Sequence, residues 1–509
     1  MKKWMKITLL CLVILINILL AYQPHFNYPY PLLTDEYNHI SFGKHIVNEH
    51  KFPFTNPYLA YPEKVVNLES GFHFFLAATF LVIPGEPVLY YKYFIILFMI
   101  INSLLLFYLV MLWFKNYYSA LLSVLFYGTI KSTGDLLVHN YFLPLTMGIT
   151  LLLLSFIFFY KWENSRNNEK NNLLNKYLIY LIITVLITIL TYPPTLTFLA
   201  GVIFLYILST NHEMHEKFNL KKRHFLTYFA ILSAITIIIS IVLMIYLNLT
   251  KYFIFPDTWT PIKAKYSPIF FFGIIPSIFA FLGLWSIIKE HKNKIILYWL
   301  LFSIIQIYLF YIFKFNILVP FARLFVFYLI GLTILAGMGV VFIFNSTINY
   351  FNKNYKNIGY IKLLTISLIL ILILANYYFI FKNPLNPPHI IDDKTYDALQ
   401  FIKNNYHNGT IIIADSYISH AVYPITQGKI LGIIGANLGG GFPNINNELI
   451  YASCKRKKEI MDRYSKEYLD YTQGKANGYI LISNFIQNCD SLEPIYEKGP
   501  YLYKVKLTD

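Results

Sequence analysis

The first polar loop of the chain carries residues that could do acid–base or metal chemistry. It contains the run Thr34-Asp-Glu-Tyr-Asn-His39. Thr34 is expected to be a helix N-cap, with Asp35 and Glu36 in the first turn, where the helix dipole favours anions. Helical spacing places Asp35 and His39 on one face. A carboxylate there could be a general base or hold a divalent cation. The structural alternative, a capped surface helix whose acids only offset the dipole, stays open.

A second Asp/His pair occurs further along the chain, in the run Ser132-Thr-Gly-Asp135-Leu-Leu-Val-His139. Asp135 and His139 are again four residues apart, but two ligands do not complete a metal site. A hydrogen-bonded loop is the more common meaning of such a pair. If a metal is used, Asp35 and Asp135 are its candidate ligands, and Mg²⁺ or Mn²⁺ would suit them. The sequence leaves the cofactor unknown.

Two further residues could contact a substrate close to a membrane. Arg323 opens an apolar run in Val319-Pro-Phe-Ala-Arg-Leu-Phe325. Its planar guanidinium suits a lipid-linked phosphate, whereas snorkelling to lipid headgroups is the plainer explanation. His73 lies within an apolar stretch at 69–84 and is more often a packed histidine than a ligand.

The composition identifies the elements that must position these residues. The chain is 57% hydrophobic and only 13% charged, whereas soluble domains contain ~25% charged residues. Soluble multidomain, disordered and collagen-like proteins are therefore excluded. Long apolar runs recur between residues 7 and 381, which predicts a polytopic α-helical membrane protein with a polar tail.

Eleven runs are predicted as membrane spans, since most approach the ~17–25 residues that cross a bilayer. The short run at 119–130 is expected to extend into its flanks, and 69–84 is interpreted as an interfacial helix. No span contains Asp, Glu, Lys, Arg or His, which argues against an ion-coupled transporter. The predicted spans are 7–22, 93–114, 119–130, 142–160, 177–191, 195–209, 225–249, 268–288, 295–312, 324–344 and 363–381.

The distribution of Lys and Arg sets the orientation. With 69–84 in the interface, the predicted inside loops hold 18 Lys and Arg in 65 residues, against 10 in 113 outside. The positive-inside rule then places the N-terminus in the cytoplasm and residues 382–509 outside, in a multi-pass protein of the cell membrane. It also explains the net charge of +16 without a nucleic-acid partner. The first span is expected to be an uncleaved anchor, because Ile18-Leu-Leu-Ala21 lacks a small residue at −3.

The chain is thus divided into a transmembrane domain at 1–381, which includes the outer loop 23–92, and a small α/β domain at 382–509. The tail pattern predicts a helix around Tyr396–Ile402, a strand at 410–415, a glycine-rich loop at 439–441, a basic helix near 449–470, and strands at 479–483 and 501–507. Cys454 and Cys489 could pair if this domain faces an oxidising compartment.

With this topology, the chain resembles the GT-C superfamily of integral membrane glycosyltransferases over nearly its whole length. The resemblance rests on Asp35-Glu36 after the first span and on two motifs downstream, Phe52-Pro-Phe-Thr-Asn-Pro-Tyr58 and Glu69-Ser-Gly-Phe-His-Phe-Phe-Leu76. It also rests on Arg323 before a span with Gly337-Met-Gly339, and on the terminal α/β domain.

The resemblance implies a hexosyl or pentosyl transferase that takes sugar from a polyprenyl- or dolichyl-phosphate carrier. A lipid, polysaccharide or protein would accept the sugar on the outer face. The catalytic carboxylate would be Asp35 or Glu36, and Arg323 would contact the carrier phosphate. The polar residues near the outer face, His39, His73, Asp135 and His139, complete the candidate substrate-binding set.

One departure bears on the substrate. The oligosaccharyltransferase subunit of this superfamily carries a Trp-Trp-Asp motif in its outer domain, and residues 382–509 contain no tryptophan. Transfer of a single sugar therefore fits better than transfer of an assembled oligosaccharide. Two other classes stay open: an O-antigen polymerase or ligase-like enzyme, and a non-catalytic membrane carrier or assembly partner.

Overall fold

A computed structural model describes most of the chain. The described residues are 2–60, 67–132, 136–168, 176–217, 254–256, 268–290, 294–317, 319–354, 358–382, 389–406, 410–433, 440–441, 448–460, 479–484, 486–487 and 489–505. They form two compact units, of which the first comprises Met1–Ala21, Leu97–Asn140 and Leu145–Leu385. The second comprises Tyr22–Ile96, Tyr141–Pro144 and Asn386–Asp509. The first outer loop thus belongs to the same unit as the tail.

Helices dominate the described residues up to residue 382, with one two-stranded ribbon between them. In chain order these elements are α1 Lys3–Tyr22, α2 Thr34–Glu49, α3 Ser70–Val82, α4 Pro87–Tyr90, α5 Tyr93–Phe114, α6 Tyr117–Gly128, α7 Pro144–Asn168, α8 Lys176–Thr191, α9 Pro193–Lys217, β1 Ile254–Pro256, α10 Pro268–Phe272, α11 Ile274–Glu290, α12 Ile295–Phe313, β2 Phe315–Ile317, α13 Phe321–Asn354 and α14 Ile358–Lys382.

Five helical segments in the described part are long and apolar enough to cross a membrane: Lys3–His25, Tyr93–Phe114, Pro144–Ser165, Ile295–Phe313 and Phe321–Phe351. The other predicted spans that fall on described residues are helical too, but their apolar segments are shorter. The predicted span 225–249 lies outside the described residues. The fold is therefore that of a polytopic helical membrane protein.

The short run at 119–130 does not extend as expected. α6 begins at Tyr117, because the side chain of Asn116 caps it by accepting from the N–H of Ser119 at 3.0 Å. It ends at Gly128, so its 12 residues cover only ~18 Å. The expectation of longer flanks was wrong.

Close packing in the first unit depends on glycines where α11 crosses α13. A Cβ on Gly283 would lie 1.9 Å from the carbonyl oxygen of Leu335, and one on Gly339 would lie 1.8 Å from that of Phe279. The two backbones therefore touch, as small residues allow where helices associate in lipid.

The second unit contains α2, α3 and α4, and the tail adds a small sheet and two helices. The tail elements are α15 Asp393–Asn405, β3 Ile411–Ile413, α16 Ile418–Thr426, β4 Lys429–Ile430, β5 Gly432–Ile433, β6 Gly440–Gly441, β7 Tyr479–Ser483, β8 Leu492–Tyr496 and β9 Tyr501–Val505. Helical segments at 448–451 and 454–460 lie between β6 and β7.

The five-stranded sheet of the tail has the order β4-β3-β7-β9-β8. β3 runs parallel to both β4 and β7, whereas β9 pairs antiparallel with β7 and β8. Its core is built from aliphatic and aromatic side chains, including Ile411, Ile413, Leu481 and Tyr503. The tail thus combines helices with a small mixed sheet, as the sequence pattern predicts.

A disulfide closes the tail domain. Cys454 and Cys489 are bonded, with their Cα atoms 5.5 Å apart, which is within the normal range for a disulfide. The pairing that the sequence left open is therefore present.

Candidate active site

The acidic pair lies in the first turn of α2. The helix begins at Thr34, and Leu33 is the N-cap. The prediction that Thr34 caps the helix was therefore wrong by one residue. The cap comes from Glu36, whose Oε2 accepts from the backbone N–H of Leu33 at 3.1 Å. This is the return half of a capping box.

The Glu36 carboxylate is fully engaged by backbone donors. Oε2 also accepts from the N–H of Leu32 at 2.8 Å, and Oε1 accepts from the N–H of Phe142 at 2.9 Å. The side chain is completely buried. Burial raises the pKa of Glu36 to about 7, although the three N–H donors act in the opposite direction. Glu36 is therefore a structural clamp between the start of α2 and the segment around Phe142.

Asp35 is the neighbour of Glu36 on α2, but it has a different environment. Successive helical residues are ~100° apart, so the buried direction taken by Glu36 is not shared by Asp35. The Asp35 side chain is half-buried. Of the two acids, Asp35 is the one with solvent access.

His39 is one turn beyond Asp35 and contacts His73 of α3. Nδ1 of His39 lies 2.9 Å from Nε2 of His73, and both rings are buried at 4% and 1% exposure. The rings pack among aromatic side chains: His39 lies edge-to-face against Phe72, and His73 stacks on Phe42. The structure thus brings together two of the predicted substrate-binding residues.

Hydrogen bonding around Asn67 fixes the tautomers of both histidines. Oδ1 of Asn67 accepts from the N–H of Glu69 at 3.0 Å, so its Nδ2 is the atom 2.7 Å from Nδ1 of His73. An amide N–H must donate, which makes Nδ1 of His73 an acceptor and puts the His73 proton on Nε2. That proton is donated to Nδ1 of His39, so His39 carries its own proton on Nε2.

The chain of donors ends at a carboxylate. Nε2 of His39 lies 3.9 Å from Oε2 of Glu69. Asn67, His73 and His39 therefore form a directed series of N–H donors, and the carboxylate of Glu69 lies beyond the last of them, farther than a hydrogen bond. Burial, and secondarily the neighbouring His39, lowers the pKa of His73 well below its ordinary value. Both effects keep His73 neutral.

The middle and end of α2 are held by other polar contacts within the same unit. Lys44 donates to the carbonyl oxygen of Pro424 at 2.7 Å and lies 3.5 Å from Glu86, which also pairs with Lys403. Burial lowers the pKa of Lys44 despite the neighbouring Glu86. These contacts, together with a hydrogen bond between Asn38 and His420 at 2.8 Å, fix the position of α2, the helix that carries Asp35.

The second predicted pair falls on the first unit. Asp135 lies outside the described residues. His139 is buried. Its backbone N–H donates to Oγ of Ser132 at 2.9 Å, and its ring Nε2 lies 2.7 Å from the carbonyl oxygen of Tyr127. Burial lowers the pKa of His139 to about 4. These contacts are those of a hydrogen-bonded loop, and substrate binding by His139 stays a prediction.

Arg323 also belongs to the first unit. It is half-buried in the first turn of α13, and its N–H donates to the carbonyl oxygen of Pro320 at 3.0 Å. Within the described part of the chain, its guanidinium has no ion-pair or side-chain hydrogen-bond partner. A half-buried guanidinium is suited to an anionic ligand.

Sequence reasoning did not identify Asn67 and Glu69 as site residues. Glu69 was visible as an acid at the start of an apolar stretch, next to His73, and this was the available signal. Its proximity to His39 is a tertiary contact across 30 residues of chain, which no local pattern contains.

The described residues do not contain a complete metal site. They contain no group of three or more His, Cys, Asp or Glu side chains that could hold a metal ion. Asp35 is described, whereas its suggested co-ligand Asp135 is not. Metal binding by Asp35 and Asp135 therefore stays a prediction.

Comparison with solved structures identifies the fold. No family model matches the sequence, and no curated protein matches it significantly. The archaeal oligosaccharyltransferase AglB from Archaeoglobus fulgidus, solved with an inhibitory peptide and a dolichol-phosphate, is similar with a TM-score of 0.59 at 12% identity. The match covers 95% of this chain and 70% of that chain.

Two further structures support the same fold. The Archaeoglobus fulgidus oligosaccharyltransferase in complex with Zn and sulfate has a TM-score of 0.51 at 10% identity, over 93% of this chain and 68% of that one. ArnT from Cupriavidus metallidurans in the apo state has a TM-score of 0.50 at 9% identity, over 98% and 97%. AglB and ArnT both belong to the GT-C superfamily. The predicted resemblance is confirmed as a likeness of fold.

Proposed function

We propose that this protein is a membrane glycosyltransferase. It transfers a sugar from a polyprenyl-phosphate-linked donor to a lipid, polysaccharide or protein acceptor outside the cytoplasm. The GT-C fold supports this proposal, and one neighbour of that fold was solved with a dolichol-phosphate. Fold alone does not define chemistry, so the proposal depends on the acidic pair of α2.

The observation that carries the proposal is the difference in environment between the two acids. Three backbone N–H groups bind the Glu36 carboxylate and its side chain is buried, which favours Asp35 as the base. Asp35 is held one residue away on the same rigid turn, with solvent access. A positioned carboxylate of this kind is suited to general-base catalysis.

The reaction can be written with Asp35 as the base. The acceptor hydroxyl oxygen attacks the anomeric carbon, and the bond from that carbon to the phosphate oxygen breaks. The phosphate leaves with the electron pair, and the hydroxyl proton passes to Asp35. Because phosphate is a good leaving group, one carboxylate suffices, in contrast to the two carboxylates of glycosidases. We assign Arg323 to the carrier phosphate, where two charge-assisted bonds can form.

The disulfide supports an extracytoplasmic site. Cys454 and Cys489 are bonded, and disulfides persist in oxidising compartments. Asp35 and both cysteines belong to the same compact unit. The lysine distribution and the disulfide are independent observations, and both favour placing the acidic pair and the tail outside.

Transfer of a single sugar fits better than transfer of an oligosaccharide. The AglB neighbour is an oligosaccharyltransferase, but the tail of this chain has no tryptophan and so lacks the Trp-Trp-Asp motif. Incorporation of one labelled sugar per acceptor would separate this activity from the polymerase or ligase alternative, in which a whole glycan moves.

The test compares Asp35→Asn with Glu36→Gln. Full-length protein in proteoliposomes is given radiolabelled polyprenyl-phosphate sugars, and label in the acceptor is measured. Asp35→Asn keeps the shape of the side chain but removes its basicity, so transfer should fall by about 10²–10⁴-fold while the protein still folds. Glu36→Gln should retain turnover but lose stability.

The reverse result, an active Asp35→Asn and an inactive but folded Glu36→Gln, would reassign the base to Glu36. If both variants transferred sugar at the wild-type rate, the glycosyltransferase assignment of this loop would be wrong. A chelator added to the wild-type assay separately measures metal dependence.

A further inference from the structure

Glu69 occupies the N-cap position of α3, yet it does not cap the helix. Its backbone has φ −116° and ψ 30°, and its side chain makes no cap hydrogen bond. An acid at this position normally turns back to the free N–H groups of the first turn, which it stabilises. In this chain the carboxylate instead lies 3.9 Å from Nε2 of His39. The side chain is therefore not used as a cap, and its carboxylate lies near His39.

The histidine pair next to Glu69 is itself costly to bury. His39 and His73 are both buried, and burial of polar rings is unfavourable unless their N–H groups and lone pairs are satisfied. Every ring nitrogen of His73 is used, by Asn67 on one side and by His39 on the other. With these tautomers, one ring N–H of the pair is not used between the histidines. It is the Nε2–H of His39, which lies near Glu69.

Glu69 is the solvent-facing end of this series. Its side chain is 27% exposed, against 5% for that of His39. His39 also lies one helical turn from Asp35 on α2. A partly exposed acid next to a buried, hydrogen-bonded histidine pair is suited to be a positioned substrate contact.

We propose that Glu69 accepts hydrogen bonds from hydroxyl groups of the transferred sugar, and that His39 and His73 are positioning residues for its carboxylate. This inference rests on the proposed glycosyltransferase function. The donor consists of a sugar and a phosphate. A carboxylate repels the phosphate, whereas it accepts hydrogen bonds from the hydroxyl groups of the sugar. The His39–Glu69 separation is longer than a hydrogen bond, and such contacts commonly tighten when substrate binds.

The first experiment tests Glu69 with Glu69→Gln and a matched control, Glu49→Gln. Glu49 is an exposed acid at the far end of α2, ~20 Å along the helix from Asp35. Kinetics are measured in proteoliposomes with the polyprenyl-phosphate sugar that the wild type uses best. A hydrogen bond to a charged group is worth about 1.5–3 kcal/mol, so kcat/KM should fall about 10- to 100-fold in Glu69→Gln. Glu49→Gln should match the wild type.

The second experiment identifies the contact with donors that lack one hydroxyl. If Glu69 binds a given hydroxyl, removing that hydroxyl should cost the wild type about as much as Glu69→Gln costs with the complete donor. Combining the two changes should then add little, because both remove the same interaction. Donors that lack other hydroxyls should show independent, additive losses.

The positioning role is tested with His39→Gln and His39→Leu. A glutamine amide can replace the Nε2–H of histidine, whereas leucine cannot. Glutamine should therefore restore most of the kcat/KM that leucine loses, and His39→Leu should also abolish the deoxy-donor discrimination. Melting temperatures of both variants show whether each remains folded.

The outcomes separate the two proposals. No transfer by the wild type from any polyprenyl-phosphate sugar overturns both. Wild-type transfer together with an unaffected Glu69→Gln, or with additive losses for every deoxy donor, overturns the role of Glu69 alone. Equal kcat/KM for folded His39→Gln and His39→Leu overturns the positioning role.

Discussion

Oε1 of Glu36 accepts the backbone N–H of Phe142 at 2.9 Å, across 106 residues of sequence. This one bond ties the start of α2 to Tyr141–Pro144, a four-residue segment that belongs to the second unit although the chain on either side of it belongs to the first. The carboxylate next to the proposed base is thus a fixed point of the fold. The stability of the protein should therefore depend on the protonation state of Glu36.

Glu36→Gln should remove a pH dependence of stability. Burial raises the pKa of Glu36 from 4.5 to about 7, so between these values the folded state binds the proton more tightly than the unfolded chain does. The free energy of unfolding of the wild type should therefore fall as pH rises from 4.5 to 7. The total is about 3 kcal/mol, at about 1.36 kcal/mol per pKa unit.

Melting temperatures in detergent at pH 5 and pH 8 measure this effect. The wild type should melt at a lower temperature at pH 8, and the difference should shrink in Glu36→Gln. Glu49→Gln, which changes an exposed acid on the same helix, should keep the wild-type difference. Parallel pH profiles for wild type and Glu36→Gln would contradict the assignment of the buried charge.

The crossing of α11 and α13 gives a prediction that is independent of function. Gly339→Ala adds a Cβ 1.8 Å from the carbonyl oxygen of Phe279, so the two helices must separate. Overpacking of this kind costs about 1–3 kcal/mol, and the melting temperature should fall. Ser346→Ala, at an exposed position of α13, is the control and should have little effect. An unchanged Gly339→Ala would show that this crossing is looser than described.

Much of the fold could be predicted from the sequence because its signals are local. Apolar runs define α5 and α12 almost to the residue, and β7 follows from its β-branched residues. Two elements that the sequence pattern did not predict contain a proline, which argues locally against a helix or a strand. α16 includes Pro424, and β8 includes Pro494. Proline is tolerated in β8 because this strand lies at the edge of the sheet.

The candidate site was predictable only in part, for a physical reason. Asp35 and Glu36 stand out because they are adjacent acids in the first loop after the first span, but sequence does not tell which one is buried. That difference depends on the N–H of Phe142, which arrives from a distant part of the chain. The same holds for Glu69, whose proposed role depends on His39 and His73, which lie on different helices. Roles that depend on tertiary hydrogen bonds have no local signature.

The topology can be tested at positions chosen for exposure. In a Cys11→Ala background that keeps the Cys454–Cys489 disulfide, Ile486→Cys and Tyr360→Cys each add one exposed thiol. A membrane-impermeant maleimide should label Ile486→Cys in intact cells, because the tail is proposed to lie outside. Tyr360→Cys, in a predicted inside loop, should react only after permeabilisation. The opposite pattern would invert the orientation and remove the basis for an extracytoplasmic site.

Arg323→Lys is expected to lose most of the transfer activity without loss of expression. The guanidinium is a planar fork that can make two parallel bonds to a phosphate, whereas lysine offers a point charge on a flexible stem. Losing one charge-assisted bond should lower kcat/KM about 10- to 100-fold. Lys314→Gln is the matched control, since Lys314 is an exposed cation in the same predicted outer segment. It tests whether any positive charge near the membrane attracts the donor. A normal donor KM and kcat in Arg323→Lys, or equal losses in the two variants, would show that Arg323 makes no specific contact with the carrier phosphate.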